Sequence, residues 1–279
     1  MTKVFFHEDD DLIDIRYDNV FKAVFTRDSQ LSNTALSKLI SALIGRELSV
    51  ESLNVNEPPI NSLKDRQIRF DINCRAENGE LVNVEMSLNP DRFELVRLEY
   101  YSGKLLSGQD ISGRNRTYKN LNESYQIAIL ANKHLLPDEV FLHTFEYYDP
   151  IHAISLNGKS RIITLELSKL DKIAQKPANE MSTPESWAFY FAYLTDKKKR
   201  SKINEILERE EGIAMASKVI MNISKDEIER ARITSELKYE LDTKSKLVEA
   251  KLEGIQEMIN LLKSGKSPEE IIREYENVK

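Results

Sequence analysis

The chain has 279 residues, of which 41% are hydrophobic and 31% charged, enough for one substantial core or one core with a helical appendage. Its net charge of -6 offers no global attraction to nucleic acid, so any such binding must come from local basic clusters. A single cysteine, Cys74, excludes an intrachain disulfide and a thiolate-rich zinc site. No run approaches the roughly 18 apolar residues of a membrane span. The acidic start MTKVFFHEDDDL lacks the basic and then apolar pattern of a signal peptide, so a cytoplasmic protein is expected.

In chain order, DNVFKAVF (18–25) and LSNTALSKLISALIG (31–45) read as helices. The second puts Leu36, Leu39, Ile40 and Leu43 on one stripe and stops at Gly45. Asp18 reads as an N-cap or, alternatively, as a further metal or water contact. LSVESLNVN (48–56) reads as a strand, and IRFDINCRAENGELVNVEMSL (68–88) supplies two more. Asn89-Pro90-Asp91 predicts a helix start, with Asn as cap and Pro at the first helical position, and a helix running to about Gly108. SYQIAILA (124–131) is the next strand, and residues 140–168 hold further strands. From about Pro184 the chain is helical and charge-rich. Val248, Leu252, Ile255, Ile259 and Leu262 form an apolar stripe that packs on the core or on its twin in a homodimer. Ser267-Pro268-Glu269-Glu270 is a capping box. Helix, three strands, helix, strand implies an α/β sandwich with a mixed sheet over residues 1–175, followed by a helical region over 176–279.

The register of the 68–88 hairpin decides which side chains meet. A two-residue Asn78-Gly79 turn would set Asp71 against Met86 and Ile72 against Glu85, mixing polar and apolar groups on both faces. A three-residue loop, Glu77-Asn78-Gly79 with a left-handed Gly79, pairs Ile68 with Leu88, Phe70 with Met86, Ile72 with Val84 and Cys74 with Val82. On the other face it pairs Arg69 with Ser87, Asp71 with Glu85, Asn73 with Asn83 and Arg75 with Leu81. Directly opposed like charges are destabilising. Either solvent and Arg69 offset the Asp71–Glu85 repulsion on an exposed face, or the two carboxylates hold a hard divalent cation.

The element order and the motif Asp71, 13 residues, Glu85-Met86-Ser87 resemble the PD-(D/E)XK nuclease superfamily, and within it the Rpn-type recombination-promoting nucleases and transposases. DNVFKAVF resembles that family's opening helix, VNVEMS (82–87) its catalytic strand and RLEYYSGKLLSGQ (97–109) its following helix, so the likeness spans about residues 12–135. The resemblance implies a restriction-endonuclease-like core and a Mg²⁺- or Mn²⁺-dependent DNA endonuclease. Asp71 and Glu85, with the carbonyl of Met86, would hold the ion. One position departs: Ser87 stands where the superfamily has Lys and the Rpn branch often Gln, and serine brings no positive charge. Arg69, across from Ser87, or Lys22 is the expected substitute, although Arg is never deprotonated and cannot act as a base.

Arg97, Tyr101 and Lys104 share one helical face and read either as a phosphate-facing strip or as an amphipathic helix whose Tyr packs inward. Arg114, Arg116 and Lys119 concentrate between helix and strand as a DNA contact or a solvated loop. DKKKRSK (196–202) reads as a solvated face with nucleic-acid contact the minority case. Gln109 reads as a helix-end hydrogen-bond donor or a group near the site, and His134, His143 and His152 as structural. DNA is the expected partner. The rival functions are a DNA-binding or regulatory protein that lost its chemistry at Ser87 and a protein-interaction scaffold.

Overall fold

Two short helices open the fold, and their packing follows from residue chemistry. α1 (Asp18–Phe25) buries Val20, Phe21, Val24 and Phe25 on one side. α2 (Gln30–Ile44) is capped by Ser29, whose Oγ accepts the Ser32 N–H at 3.2 Å, and stops at Gly45 with φ +82°, a left-handed conformation that glycine adopts without strain. The predicted stripe of Leu36, Leu39, Ile40 and Leu43 is buried throughout. In this computed structural model, residues 6–54, 69–109, 111, 117–226, 248, 250–268, 270 and 273 are described.

The strands that follow are β1 (Val50–Leu53), β2 (Ile72–Ala76) and β3 (Leu81–Ser87); α3 (Glu94–Ser107) then leads to β4 (Ser124–Leu130). β5 (Leu142–Phe145), a small hairpin of β6 (Tyr148–Asp149) and β7 (Ile154–Ser155), and β8 (Ser160–Glu166) complete the sheet region. The main sheet has six strands in the order β1-β2-β3-β4-β8-β5, with β3, β4 and β8 parallel and the other neighbours antiparallel. This is the expected mixed sheet flanked by helices.

α3 covers one face of the sheet. Leu98 packs with Ala128 and Leu130, and Leu105 with Leu81 and Phe70. The side chains of residues 81, 83, 85 and 87 alternate onto that face. The aromatic cluster of Phe21, Phe25, Trp187 and Phe191 belongs to the helical layer of α1, α2, α5 (Thr183–Tyr193) and α7 (Glu211–Lys225), reached through the short α4 (Asp171–Gln175) and followed by α6 (Arg200–Arg209). Ser182 and Glu185 form a reciprocal capping box that starts α5 at Thr183-Pro184. Met1–Glu227 make one compact unit and Ile228–Lys279 a second. In the second, residues 250–263 are helical. Its end is sealed by the Lys266 N–H on Leu261 O (3.3 Å) and the Gly265 N–H on Leu262 O (3.1 Å). The expected Ser267/Glu270 capping box follows, with hydrogen bonds of 2.9 and 3.3 Å. The stripe of Val248, Leu252, Ile255, Ile259 and Leu262 is 38–60% exposed.

Three local expectations are corrected. Asp18 is the first residue of α1 rather than its cap: the N-cap is Tyr17, and Asp18 instead pairs with Lys22 at 2.8 Å. α3 begins at Glu94, not beside Pro90, because the Asp91 carboxylate accepts the Phe93 N–H at 2.7 Å and holds the preceding residues in a turn. DKKKRSK is only partly a solvated face. Arg200 is buried with its guanidinium 5.4 Å from the Phe6 ring, and Lys202 donates to Ala174 O at 3.1 Å.

Candidate metal centre and nucleic-acid interface

The hairpin forms with the three-residue loop. Gly79 has φ +89°, Ala76 donates to Glu80 O at 2.9 Å, and the ladder pairs Ile72 with Val84, Asn73 with Asn83, Cys74 with Val82 and Arg75 with Leu81. The ladder stops at Ile72–Val84, so the predicted Asp71–Glu85, Phe70–Met86 and Arg69–Ser87 pairs do not form. The cause is Phe70, which swings onto the α3 side and meets Tyr101 edge-on with ring centroids 5.6 Å apart. Ile68, expected opposite Leu88, lies outside the described residues.

Where β2 leaves the ladder, Asp71 turns its carboxylate toward β3 and accepts the Met86 N–H at 3.3 Å. In a strand a residue's N–H and C=O point to the same side. Met86 O therefore lies along the edge that Asp71 occupies. Glu85, one residue away, faces α3 and is almost wholly buried, with a side chain 4% exposed. Asn83 orients it: Asn83 Nδ2 donates to Glu85 Oε1 at 2.9 Å and to Gln126 Oε1 at 2.9 Å. Ser87 follows on the same face, partly exposed.

The electrostatics are those of a crowded acidic site. Burial first, and repulsion from Asp71 second, push the Glu85 carboxyl up to about 7, against the pull of Asn83 and Arg97. Burial and the neighbouring Asp18 also raise Asp71, while Lys22 and the Met86 amide oppose the shift. Lys22 Nζ lies 3.0 Å from Asp71 and 2.8 Å from Asp18. Burial alone would lower its pKa, but the two carboxylates raise it and keep it charged. Arg97 Nη2 lies 2.5 Å from Glu94 and 3.6 Å from Glu85. Positive charge thus reaches the acids from α1 and from α3, one helix on either side of the sheet.

The other sequence candidates divide. Lys22 stands beside Asp71 as a compensating charge, and Arg97, expected on phosphate, is drawn to Glu85 and Glu94. Tyr101 is half-buried against Phe70, and Lys104 leans over the Tyr100 ring at 5.6 Å. Arg69 and Lys119 are exposed, while Arg114 and Arg116 lie outside the described residues. Gln109 clamps the backbone of Asn122 from both sides, at 2.9 and 3.0 Å. His143 and His152 pair with Asp138 and Asp149. Asn83, Gln126 and Glu94 are site residues that sequence reasoning missed. An amide on the Glu85 face of an otherwise apolar strand, and an acid three residues before Arg97, were the available signals.

A family model described as PD-(D/E)XK nuclease family transposase matches residues 15–250. The chain belongs to that family. Searches of curated proteins and of solved structures return no match. PD-(D/E)XK nucleases generally use divalent metals, and the donor chemistry here suits one. Asp71 and Glu85 carboxylates and a backbone carbonyl are hard oxygen donors, the kind Mg²⁺ takes in small number while keeping several waters. Among the described residues no third His, Cys, Asp or Glu joins them in a metal cluster. A cleft of about 280 Å³, lined by Lys22, Thr26, Asn54, Asp71 and Asn73 among others, leaves room against Asp71. Among the described residues, the buried Gln126 Nε2 and Asn83 Oδ1 have no hydrogen-bond partner. No helix among the described residues is long and apolar enough to cross a membrane.

Proposed function

We propose that this PD-(D/E)XK family member is a Mg²⁺- or Mn²⁺-dependent DNA endonuclease of the Rpn type, acting in recombination or mobile-element processes. One observation carries the reading: Asp71 reaches across to the Met86 amide next to a buried Glu85, so two carboxylates that repel each other share one corner of the sheet. A desolvated acid either keeps its proton or takes up a cation, and acids perturbed in this way cluster at functional sites. Asp71, Glu85 and Met86 O would hold the ion. Bound there, a divalent cation lowers the pKa of a water and stabilises charge on a phosphoryl oxygen.

The chain's own residues set the rest. Asn83 fixes the Glu85 carboxylate from below. Lys22 brings to the Asp71 side the positive charge that Ser87 lacks. Arg97 balances Glu85 from α3. Its side chain is 45% exposed, and with a cation on Glu85 the guanidinium, still anchored by Glu94, would have capacity for a phosphate. Arg69 and Lys119, both exposed, would meet the DNA backbone, and Arg114 and Arg116, outside the described residues, are proposed to do so too. The tail pairs with a second copy. Its exposed stripe from Val248 to Leu262 advances by alternate steps of four and three residues, the spacing of a coiled-coil seam. Two copies would then present two sites to a duplex.

The test is nicking of supercoiled plasmid with Mg²⁺ or Mn²⁺, comparing the parent with Glu85→Ala. Cleavage by the parent alone supports the nuclease. Equal cleavage by both removes it. A second reading, a DNA-binding protein without chemistry, is favoured by the pairing of both acids with Lys22 and Arg97. It predicts no cleavage by the parent and salt-dependent DNA affinity that Mg²⁺ leaves unchanged.

A further inference from the structure

α3 draws inward the residues expected to meet DNA and presents a different set. Arg97 is held by Glu94 and Glu85, and Tyr101 by Phe70, whereas Phe93, Val96 and Tyr100 are 59%, 63% and 45% exposed. At positions i, i+3 and i+7 they make one ridge along the outer side of the helix. Single exposed apolar side chains are ordinary, but a contiguous stripe with two aromatic rings marks a contact surface. Each ring carries a cation: Arg92 Cζ lies 4.6 Å from the Phe93 centroid and Lys104 Nζ 5.6 Å from that of Tyr100.

The ridge borders a groove of about 670 Å³ lined by Asp91, Phe93, Glu94, Val96, Arg97, Tyr100 and Tyr101. That volume falls in the roughly 300–1,000 Å³ range of sites for ligands of nucleotide size. Arg97 belongs both to this groove and, 3.6 Å from Glu85, to the acidic centre. Arg97 therefore links the groove to Glu85.

We propose that this groove holds unpaired nucleotides, with bases stacked on Phe93 and Tyr100 and phosphates drawn to Arg92 and Lys104. The proposal takes DNA as the ligand from the nuclease reading and adds which form of DNA the site engages. Within a duplex the base faces are covered by their neighbours and only base edges are open in the grooves. A ring can stack only on a base that is out of the double helix. The helix rises about 1.5 Å per residue, so the seven steps from Phe93 to Tyr100 span about 10 Å. Three stacked steps of one strand, at about 3.4 Å each, cover the same distance. A single strand, a flap or a frayed end thus fits the ridge, and the scissile phosphate of such a strand would come to Glu85.

The test is fluorescence anisotropy in EDTA, where no cleavage occurs, with the full chain and two labelled probes: a 20-nucleotide oligothymidylate and a blunt 20-base-pair duplex. The single strand is expected to bind more tightly than the duplex at equal salt. Phe93→Ala with Tyr100→Ala is expected to weaken the single strand by roughly 5- to 100-fold and the duplex by less than about 3-fold. Tyr100→Phe, which keeps the stacking surface, is expected to retain single-strand affinity. Equal losses on both probes, or none on the single strand, overturn the proposal. So does self-association that the double substitution abolishes, which would assign the ridge to protein contact. Stacking with no plasmid nicking sinks only the nuclease reading, and nicking without stacking sinks only this proposal. All the substituted side chains are exposed, and matched thermal midpoints will show that the variants fold.

Discussion

Replacing Glu85 by Gln removes the charge that the site is built around and leaves shape and hydrogen-bonding capacity almost unchanged. The Glu85 carboxyl rises from an ordinary 4.5 to about 7, chiefly through burial and then through repulsion from Asp71. At about 1.4 kcal/mol per pKa unit, the ionised form costs the metal-free fold about 3 kcal/mol. A side chain only 4% exposed is little screened by solvent, so most of that cost survives. The sign follows from proton linkage. The folded state holds this proton more tightly than the unfolded chain, so its contribution to stability is present at acid pH and is lost as pH rises from about 4.5 to about 7. Glutamine does not titrate. The stability advantage of Glu85→Gln over the parent is therefore expected to grow by about 2–3 kcal/mol between pH 5 and pH 8 in EDTA. For a folded unit of this size that corresponds to roughly 5–12 °C in melting temperature. Urea unfolding at the two pH values measures it directly. Adding Mg²⁺ at pH 8 should restore the parent, by about 2.7 kcal/mol at a hundred times its dissociation constant, and leave the variant unmoved. Parallel pH curves for the two proteins would refute the account of Glu85 as a strained, cation-seeking carboxylate.

Further outcomes follow from the same geometry. Lys22→Met strips Asp71 and Asp18 of their shared cation and is expected to lower stability by about 1–3 kcal/mol at pH 7, less at acid pH where Asp71 is protonated. Urea titration checks the loss, and plasmid nicking should fall with it if Lys22 stands in for the charge that Ser87 lacks. Glu166 and Lys169 pair at 2.5 Å with both side chains wholly buried, and Glu166 also accepts the Leu135 N–H at 2.6 Å. Glu166→Ala therefore leaves Lys169 with Asp138, at 3.2 Å, as its remaining carboxylate and removes the acceptor of the Leu135 and Leu136 amides, and the expected loss is about 1–3 kcal/mol by chemical denaturation. Leu252→Glu with Ile259→Glu places charges on the exposed tail stripe and is expected to convert a dimer to a monomer by light scattering. The melting temperature of Met1–Glu227, a separate compact unit, should barely change.

Local chemistry made part of this protein legible from its residues alone. Spacing of Leu36, Leu39, Ile40 and Leu43 and the stop at Gly45 depend on helical period and on one left-handed residue. The Glu77-Asn78-Gly79 loop and the register from Ile72–Val84 to Arg75–Leu81 follow from matching apolar to apolar across a hairpin, whereas Asp71 lies beyond the ladder and reaches the Met86 amide rather than pairing with Glu85. Period and turn chemistry act over a few residues, which is why such features can be read along the chain. The surroundings of the two acids obey no such rule. Tertiary packing alone decided that Phe70 leaves its strand face for Tyr101, that Arg97 turns to Glu85 rather than outward, and that Lys22 comes to Asp71 from another helix. It also buried Asn83 and Gln126 beneath the carboxylate and left Phe93 and Tyr100 outside. The physical reason is that a buried carboxylate takes its counter-charge from whatever elements are packed over it. Here those are α1 and α3, which only the folded sheet brings together.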